Sequence, residues 1–276
     1  MFTLRDIPDL NGKVAIVTGG NCGIGYVTAR ELALHQAHVF IASRNEESAN
    51  SAIERIKNET KNNNVEFLHL DLVDLKSVKL SAENFLNKGL PLHILINNAA
   101  IMATQLFTKI LLPKLEESAP SRIVNVSCEA HKSARNGIEF DKLEDETAQT
   151  SWYRYAQSKL ANILFTKALA KKCEEKNVYV NWFVKTDLSR AMRENYTFVG
   201  VLLLKIGYLF ALSPEYGAIT QLYCATSPEI EEKNYRGLYF IPYGKVGEPF
   251  PKAEDQTLID NLWTYTENLI KKSLVD

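Results

Sequence analysis

Apolar residues along this chain follow two rhythms that take turns. Short, nearly unbroken apolar runs at 13–18, 38–42, 65–70, 92–97, 122–127 and 178–184 predict buried strands. Between them, segments at 24–36, 46–61, 74–88, 103–117 and 155–175 place apolar residues at helical spacing and predict helices. Strand and helix alternating in this order predict an α/β fold, a doubly wound parallel sheet in a single domain. Ligands of such sheets sit beyond the carboxyl ends of the strands, so those ends hold the candidate chemistry.

The first strand, Val14-Ala15-Ile16-Val17, runs into Thr18-Gly19-Gly20-Asn21-Cys22-Gly23-Ile24-Gly25, and a helical pattern from Tyr26 to Gln36 follows. Strand, glycine-rich turn and helix make the first half of a Rossmann-type nucleotide-binding unit. Glycines let the backbone turn tightly and let a pyrophosphate approach with no Cβ in the way. The helix start then offers N–H groups and a positive dipole end to that phosphate. Gly19, Asn21, Cys22, Gly23, Ile24 and Gly25 are the candidate phosphate-binding residues. The alternative is a plain strand-to-helix turn.

The second run ends in Ser43-Arg44. An acidic residue at this place would accept hydrogen bonds from the ribose of NAD, whereas a basic one pairs with the 2′-phosphate of NADP. Arg44 therefore predicts NADP over NAD, against the alternative of an ordinary surface arginine. The third run ends in Asp71-Leu72, where the carboxylate can meet an adenine amine or cap the next helix. The fourth ends in Asn97-Asn98-Ala99-Ala100, whose amides suit backbone bracing, ribose contact or a simple turn.

Tyr155 and Lys159 stand four residues apart in a helical pattern and so share one face. A nearby ammonium stabilises phenolate and lowers the tyrosine pKa, which makes a usable acid/base at neutral pH. Of the twelve tyrosines, only Tyr155 has a lysine at this spacing.

Composition excludes more than it adds. With 276 residues, 46% hydrophobic and 24% charged, the chain can bury the core of one large domain. A net charge of −1 provides no electrostatic footprint for nucleic acid. Cys22, Cys128, Cys173 and Cys224 stand far apart, which predicts reduced thiols and neither a disulfide framework nor a metal site. The first residues lack an apolar signal core and no uncharged run is long enough to span a bilayer, so a cytoplasmic location is expected.

Together these features resemble the short-chain dehydrogenase/reductase family. The matches are T-G-x-x-x-G-x-G at Thr18–Gly25, the Asp71-Leu72 step, N-N-A at Asn97–Ala99 and Y-x-x-x-K at Tyr155–Lys159. Leu92–Asn98, Pro113-Lys114-Leu115 and Ser158-Lys159-Leu160-Ala161-Asn162 are similar to the retinol-dehydrogenase-like and DHRSX-like branch. The likeness runs from about Gly12 to about Tyr239. It implies that Tyr155 protonates a carbonyl oxygen or deprotonates an alcohol, and that Lys159 holds the nicotinamide ribose and depresses the tyrosine pKa. It also implies that Asn98 and Ala99 flank the adenosine ribose.

Four departures from the family pattern stand out. The family's catalytic serine falls on Cys128, with Ser127 before it, and strand alternation turns Ser127 the other way. A thiol donates a weaker hydrogen bond than a hydroxyl, so Ser127 or Cys128 is expected to be a diminished carbonyl-orienting group. A loop and half a helix are missing between Met102 and Thr104, including an Asn that helps hold a relay water in the family. The Pro-Gly turn is missing before Val184-Lys185-Thr186, where Thr186 matches the residue that binds phosphate or carboxamide. Ala100 replaces a glycine. Internal segments are therefore absent, and the remaining helix of about 14 residues, roughly 21 Å, still suffices to return along a strand.

The most apolar stretch, Phe198–Leu212, falls within 185–235, which matches the family's substrate lid and implies a lipophilic substrate. Core packing, or a face resting on a membrane or lipid droplet, are the alternatives. Ser213-Pro214 predicts a helix start, and Glu254 to Lys272 a closing amphipathic helix. The resemblance to the family implies a homodimer formed through helices of this region and the Tyr155 helix. The whole chain, 1–276, is expected to be one NAD(P)-binding domain, an NADP-preferring oxidoreductase of a lipophilic alcohol and its aldehyde or ketone. Its rivals are a catalytically impaired nucleotide-binding paralogue acting by interaction, and a truncated product without function.

Overall fold

Strand β1 (Val14–Thr18) is buried along its length, and its alternate residues feed two separate cores. Ala15 and Val17 join one apolar cluster while Val14 and Ile16 join the other, as a strand covered on both faces requires. Strand β2 (His38–Ser43) divides likewise, with Val39 and Ile41 opposite Phe40 and Ala42. The computed structural model describes residues 1–99, 103–143, 145, 147–185 and 214–275.

Helices α1 (Gly23–Leu34) and α2 (Glu46–Thr60) cover the first cluster. Helices α3 (Leu75–Leu86), α4 (Ala103–Glu117) and α5 (Ser151–Lys172) cover the second. Helix α6 (Pro214–Thr226) returns to the first face, where Ala218 and Leu222 enter the same cluster as Val27 of α1. This is the expected doubly wound arrangement.

Strands β3 (Val65–His69), β4 (Ile94–Asn97), β5 (Ser121–Cys128), β6 (Val178–Lys185), β7 (Tyr239–Ile241) and β8 (Lys245–Val246) complete the sheet. Its order is β3-β2-β1-β4-β5-β6-β7-β8, with all neighbours parallel except β7 and β8. The chain winds outward from β1 to β3 and then resumes on the other side of β1, so the order reverses between β1 and β4. That switch point is where such sheets bind ligands. The six expected strands are all present, and β7 and β8 are added at one edge; two or three residues cannot show a period in sequence.

The shortened connection after β4 keeps its topology. The fifteen residues of α4 span about 22 Å, and β5 lies parallel beside β4 with Ile94 opposite Arg122. Strand β6 pairs with β5 without interruption from Val178 to Lys185, the last pair being Cys128 with Lys185. No turn breaks it where the family has Pro-Gly. Helix α5 begins at Ser151, ahead of the expected 155, because Thr150 accepts a hydrogen bond from the Tyr153 amide at 3.2 Å and caps it.

After the short helix α7 (Glu229–Glu232), the chain ends in α8 (Gln256–Val275). Trp263 of α8 stacks on Phe165 of α5, centroids 5.8 Å apart, and Glu267 pairs with Lys109 of α4. This part of α5 packs within the chain. Among the described residues no helix is long and apolar enough to cross a membrane. Ala100, Thr186, Ser213, the run 198–212 and most of the lid segment lie outside the described residues.

Candidate active site

The turn after β1 holds its glycines for separate reasons. Gly19 and Gly23 have φ of +65° and +57°, a region that side chains with a Cβ rarely enter. A Cβ on Gly25 would lie 2.3 Å from the Gly19 carbonyl oxygen and 2.7 Å from Asn98 Nδ2, which leaves no room for one. Around Gly23 the space is open. Cys22 precedes α1 without a side-chain capping bond, and Asn21 Nδ2 donates to Ser48 Oγ of α2 at 3.0 Å.

The turn is tied across the switch point to the end of β4. Asn98 Nδ2 donates to the Thr18 carbonyl at 3.0 Å, and Thr18 Oγ1 donates to the Ala99 carbonyl at 2.9 Å. The Ala99 amide returns to the Thr18 carbonyl at 3.0 Å. Of the roles open to Asn98 in sequence, the side chain makes the backbone brace.

Ser43 is buried at the end of β2, and Arg44 beside it is exposed, with no hydrogen bond or ion pair to another described residue. Asp71 does not cap α3. That cap is Asp74, whose side chain accepts from the Lys76 amide at 2.9 Å. Asp71 instead accepts from the Val73 amide at 3.0 Å, its own amide donates to Ser77 Oγ at 3.1 Å, and half-buried Leu72 lies beside it.

At the end of β5 the two candidates separate. Ser127 is buried and its hydroxyl donates to the Lys159 carbonyl of α5 at 2.8 Å. Cys128 points the other way, its sulfur 3.4 Å from the Tyr155 hydroxyl. The structure thus brings Cys128, and not Ser127, to Tyr155. Lys159 Nζ lies 5.4 Å from the centroid of the Tyr155 ring, so the pair shares one face as its spacing predicts. Trp152 stands 6.0 Å from the Tyr155 ring on the outer side.

Beneath this pair runs a buried polar chain, of which the sequence had pointed only to the Asn97 amide. Asn97 Nδ2 donates to Thr108 Oγ1 of α4 at 2.9 Å and to Asn125 Oδ1 of β5 at 2.7 Å. Asn125 passes on to Thr166 Oγ1 at 2.8 Å, and Thr166 to the Asn162 carbonyl at 2.7 Å. Asn162 Nδ2 closes on the Val126 carbonyl at 3.2 Å. These bonds lock β4, β5, α4 and α5 together just under the candidate chemistry, because buried amides must find partners. The available signal for Asn125 was a lone Asn inside an apolar strand run. Among the described residues no cluster of three or more His, Cys, Asp or Glu could hold a metal.

Comparison with known proteins agrees with this fold. The family model described as short chain dehydrogenase matches residues 13–119. An oxidoreductase of Schizosaccharomyces pombe is 39% identical, covering 98% of this chain and 88% of the relative. That alignment runs over 303 positions, more than the 276 residues here, so stretches of the relative have no counterpart in this chain. Human retinol dehydrogenase 12 is 35% identical over 95% of this chain and 87% of the relative. Among solved structures, a protein of Mycobacterium paratuberculosis superposes with TM-score 0.74 at 26% identity, covering 98% of this chain and 97% of that one. RhlG of Pseudomonas aeruginosa, solved with NADP, shares the fold at TM-score 0.64 and 21% identity, over 86% of this chain and 97% of that one.

Proposed function

The chain belongs to the short-chain dehydrogenase/reductase family and is an oxidoreductase of that kind, and from this premise we propose that it transfers hydride between NADP and a lipophilic alcohol or its aldehyde or ketone. The observation that carries the reading is the meeting of Tyr155 with Cys128 at the carboxyl end of β5, the end at which the glycine turn follows β1. Relatives named as oxidoreductases and dehydrogenases favour an enzyme over an inert paralogue.

The residues fit a dinucleotide. The close approach at Gly25 and the left-handed Gly19 and Gly23 make a cradle that any Cβ would fill or strain. In this reading Gly19, Asn21, Cys22, Gly23, Ile24 and Gly25 hold the pyrophosphate at the start of α1. Ser43 and Arg44 hold the 2′-phosphate, and Asp71 and Leu72 border the adenine. Asn98 and Ala99 flank the adenosine ribose, and Thr186 belongs to the nicotinamide end. The exposed guanidinium of Arg44, with no partner among the described residues, supports NADP over NAD, as do structural neighbours solved with NADP.

The nicotinamide, when bound, supplies the hydride acceptor or donor. The protein's own residues do the rest. Tyr155 gives its hydroxyl proton to the carbonyl oxygen in reduction and takes one from the alcohol in oxidation. Lys159, one helical turn away, favours the phenolate through its charge and holds the nicotinamide ribose. Cys128 orients the carbonyl oxygen with its S–H, a weaker donor than the usual hydroxyl. Ser127 holds the backbone of α5 at Lys159 and leaves the substrate to Cys128.

We take 1–276 as one nucleotide-binding domain with 185–235 as its substrate lid. The apolar run Phe198–Leu212 supports a lipophilic substrate, as does the likeness to retinol dehydrogenases. The same run would bring the cytoplasmic protein against a membrane or lipid-droplet surface.

Thermal unfolding with NADPH, NADH and no ligand tests the reading. Cofactor at 100 times its dissociation constant stabilises by about 2.7 kcal/mol, a visible rise in Tm. An NADPH-selective rise is expected, and NADPH-dependent reduction of an aliphatic aldehyde should then exceed that of Tyr155→Phe. A Tm unmoved by both cofactors would sink the proposal.

A further inference from the structure

Directly after β5 the chain makes a tight 3-10 turn, Glu129–Ser133, with Cys128 at its start. His131 is the buried centre of this turn, with no exposed surface. Its Nδ1 lies 2.7 Å from the carbonyl oxygen of Cys128. A carbonyl can only accept, so Nδ1 carries the hydrogen and donates it. Nε2 is then a bare acceptor, buried and without a hydrogen-bond partner among the described residues.

Aromatic side chains fix the ring. Trp182 of β6 meets it edge-on at 6.0 Å and Phe250 at 6.3 Å. Trp182 is itself stacked on Tyr239 of β7 at 4.2 Å, and the Tyr239 hydroxyl donates to Glu129 at 3.1 Å. Burial lowers the imidazole pKa more than the Cys128 carbonyl and Glu129 raise it, which keeps the ring neutral and the donor on Nδ1.

A histidine like this is ordinarily a core residue that satisfies a stray carbonyl. Here the carbonyl belongs to the residue whose thiol touches Tyr155. The preceding residue is pinned from the opposite side, through Ser127 and the Lys159 carbonyl. The two bonds grip the end of β5 on both flanks of one peptide unit. Cys128 is already paired opposite Lys185 in the sheet, and these two bonds add the anchors that set the direction of its side chain.

We propose that His131 is a positioning residue, holding the Cys128 peptide so that the thiol faces the Tyr155 hydroxyl. This rests on the reading of Cys128 and Tyr155 as the carbonyl-orienting and acid/base pair, and the test therefore includes a readout that needs no turnover.

The experiment uses the full chain with His131→Phe, His131→Asn and His131→Gln. Phenylalanine keeps the aromatic packing and removes the donor. Asparagine can place its amide nitrogen where Nδ1 lies, and glutamine reaches beyond it. Alkylation by iodoacetamide is followed by peptide mass mapping, with exposed Cys22 as internal reference. Cys128 should react several-fold faster in His131→Phe and His131→Gln, and return towards the native rate in His131→Asn. The kcat for NADPH-dependent carbonyl reduction should fall about fivefold in the first two variants, with KM for NADPH unchanged, and recover in the third. Unchanged Cys128 reactivity in both His131→Phe and His131→Gln overturns the proposal, as does failure of asparagine to restore it. If His131→Phe does not fold, the contrast of glutamine with asparagine decides alone. Altered Cys128 reactivity in a protein whose native form shows no turnover supports the positioning contact and removes the enzymatic reading.

Discussion

The Cys128 sulfur lies 3.4 Å from the Tyr155 hydroxyl, joining the end of β5 to the second turn of α5. A hydroxyl at this position would donate a stronger hydrogen bond to a substrate carbonyl. Cys128→Ser should therefore raise kcat for carbonyl reduction roughly fivefold, the worth of about 1 kcal/mol. KM for NADPH should not move. Steady-state kinetics decide it, and an unchanged or lower kcat would remove Cys128 from the carbonyl-orienting role.

Tyr155→Phe keeps the ring beside Lys159 and removes the proton. The kcat should drop by about 10² to 10⁴, the usual worth of a general acid. The NADPH-induced rise in Tm should persist. Loss of the rise together with turnover would make Tyr155 a binding residue.

Two glycines separate space from strain. Gly25→Ala puts a Cβ 2.3 Å from the Gly19 carbonyl, so the turn must open and the NADPH-induced Tm shift should vanish. Gly89→Ala, ahead of β4 and outside the glycine turn, meets no atom and carries only the strain of φ +67°, about 1 kcal/mol. Its cofactor shift should survive in calorimetry. Equal behaviour of the two would refute the cradle at Gly25.

Arg44→Ala tests cofactor choice. A charged hydrogen bond is worth about 1.5–3 kcal/mol, so NADPH affinity should fall roughly 10- to 150-fold while NADH affinity holds. Titration calorimetry with both cofactors reads this directly. A parallel loss for NADH would mean that Arg44 does not read the 2′-phosphate.

One surface cluster carries a pH signature. Burial pushes the Glu66 carboxyl up, but hydrogen bonds and charges from Lys88 and His38 outweigh it, so its pKa is lowered in the fold. A carboxyl with a depressed folded pKa binds its proton more readily in the unfolded chain. Its contribution is full above the unfolded value of about 4.3 and fades as pH falls through the folded value. Glu66 is partly solvated, so the effect should be under about 1 kcal/mol. The Tm difference between the native protein and Glu66→Gln should shrink between neutral pH and pH of about 3.5. A constant difference would show that the ion pairs carry none of it.

Much of the fold was legible along the chain because buried parallel strands and amphipathic helices leave local records. Val14–Thr18, the glycine turn and the Tyr155–Lys159 spacing needed only their neighbours in sequence to be read. The family followed from the same short motifs. The fifteen-residue helix after β4 is long enough to return along a strand, as its length in sequence implies.

Contacts between distant segments left no such record. Whether Asn98 braces Thr18 or faces a ligand depends on two strand ends meeting across the switch point. Asp71 and Asp74 look equally able to cap a helix until the turn geometry selects Asp74. Strand β7 forms along the edge of β6 and β8 along the edge of β7, and two or three residues hold no period of their own. The sequence by itself determined the sheet, its nucleotide-binding end and the tyrosine–lysine pair, since each is encoded within a helical turn or a strand. Strand alternation already turned Ser127 away from Cys128; only the tertiary structure decided that the Cys128 thiol meets the Tyr155 hydroxyl, that Ser127 lands on the Lys159 carbonyl, and that a buried His131 donates to the Cys128 carbonyl. Those relations depend on packing among β5, β6 and α5, and chain order alone does not specify it.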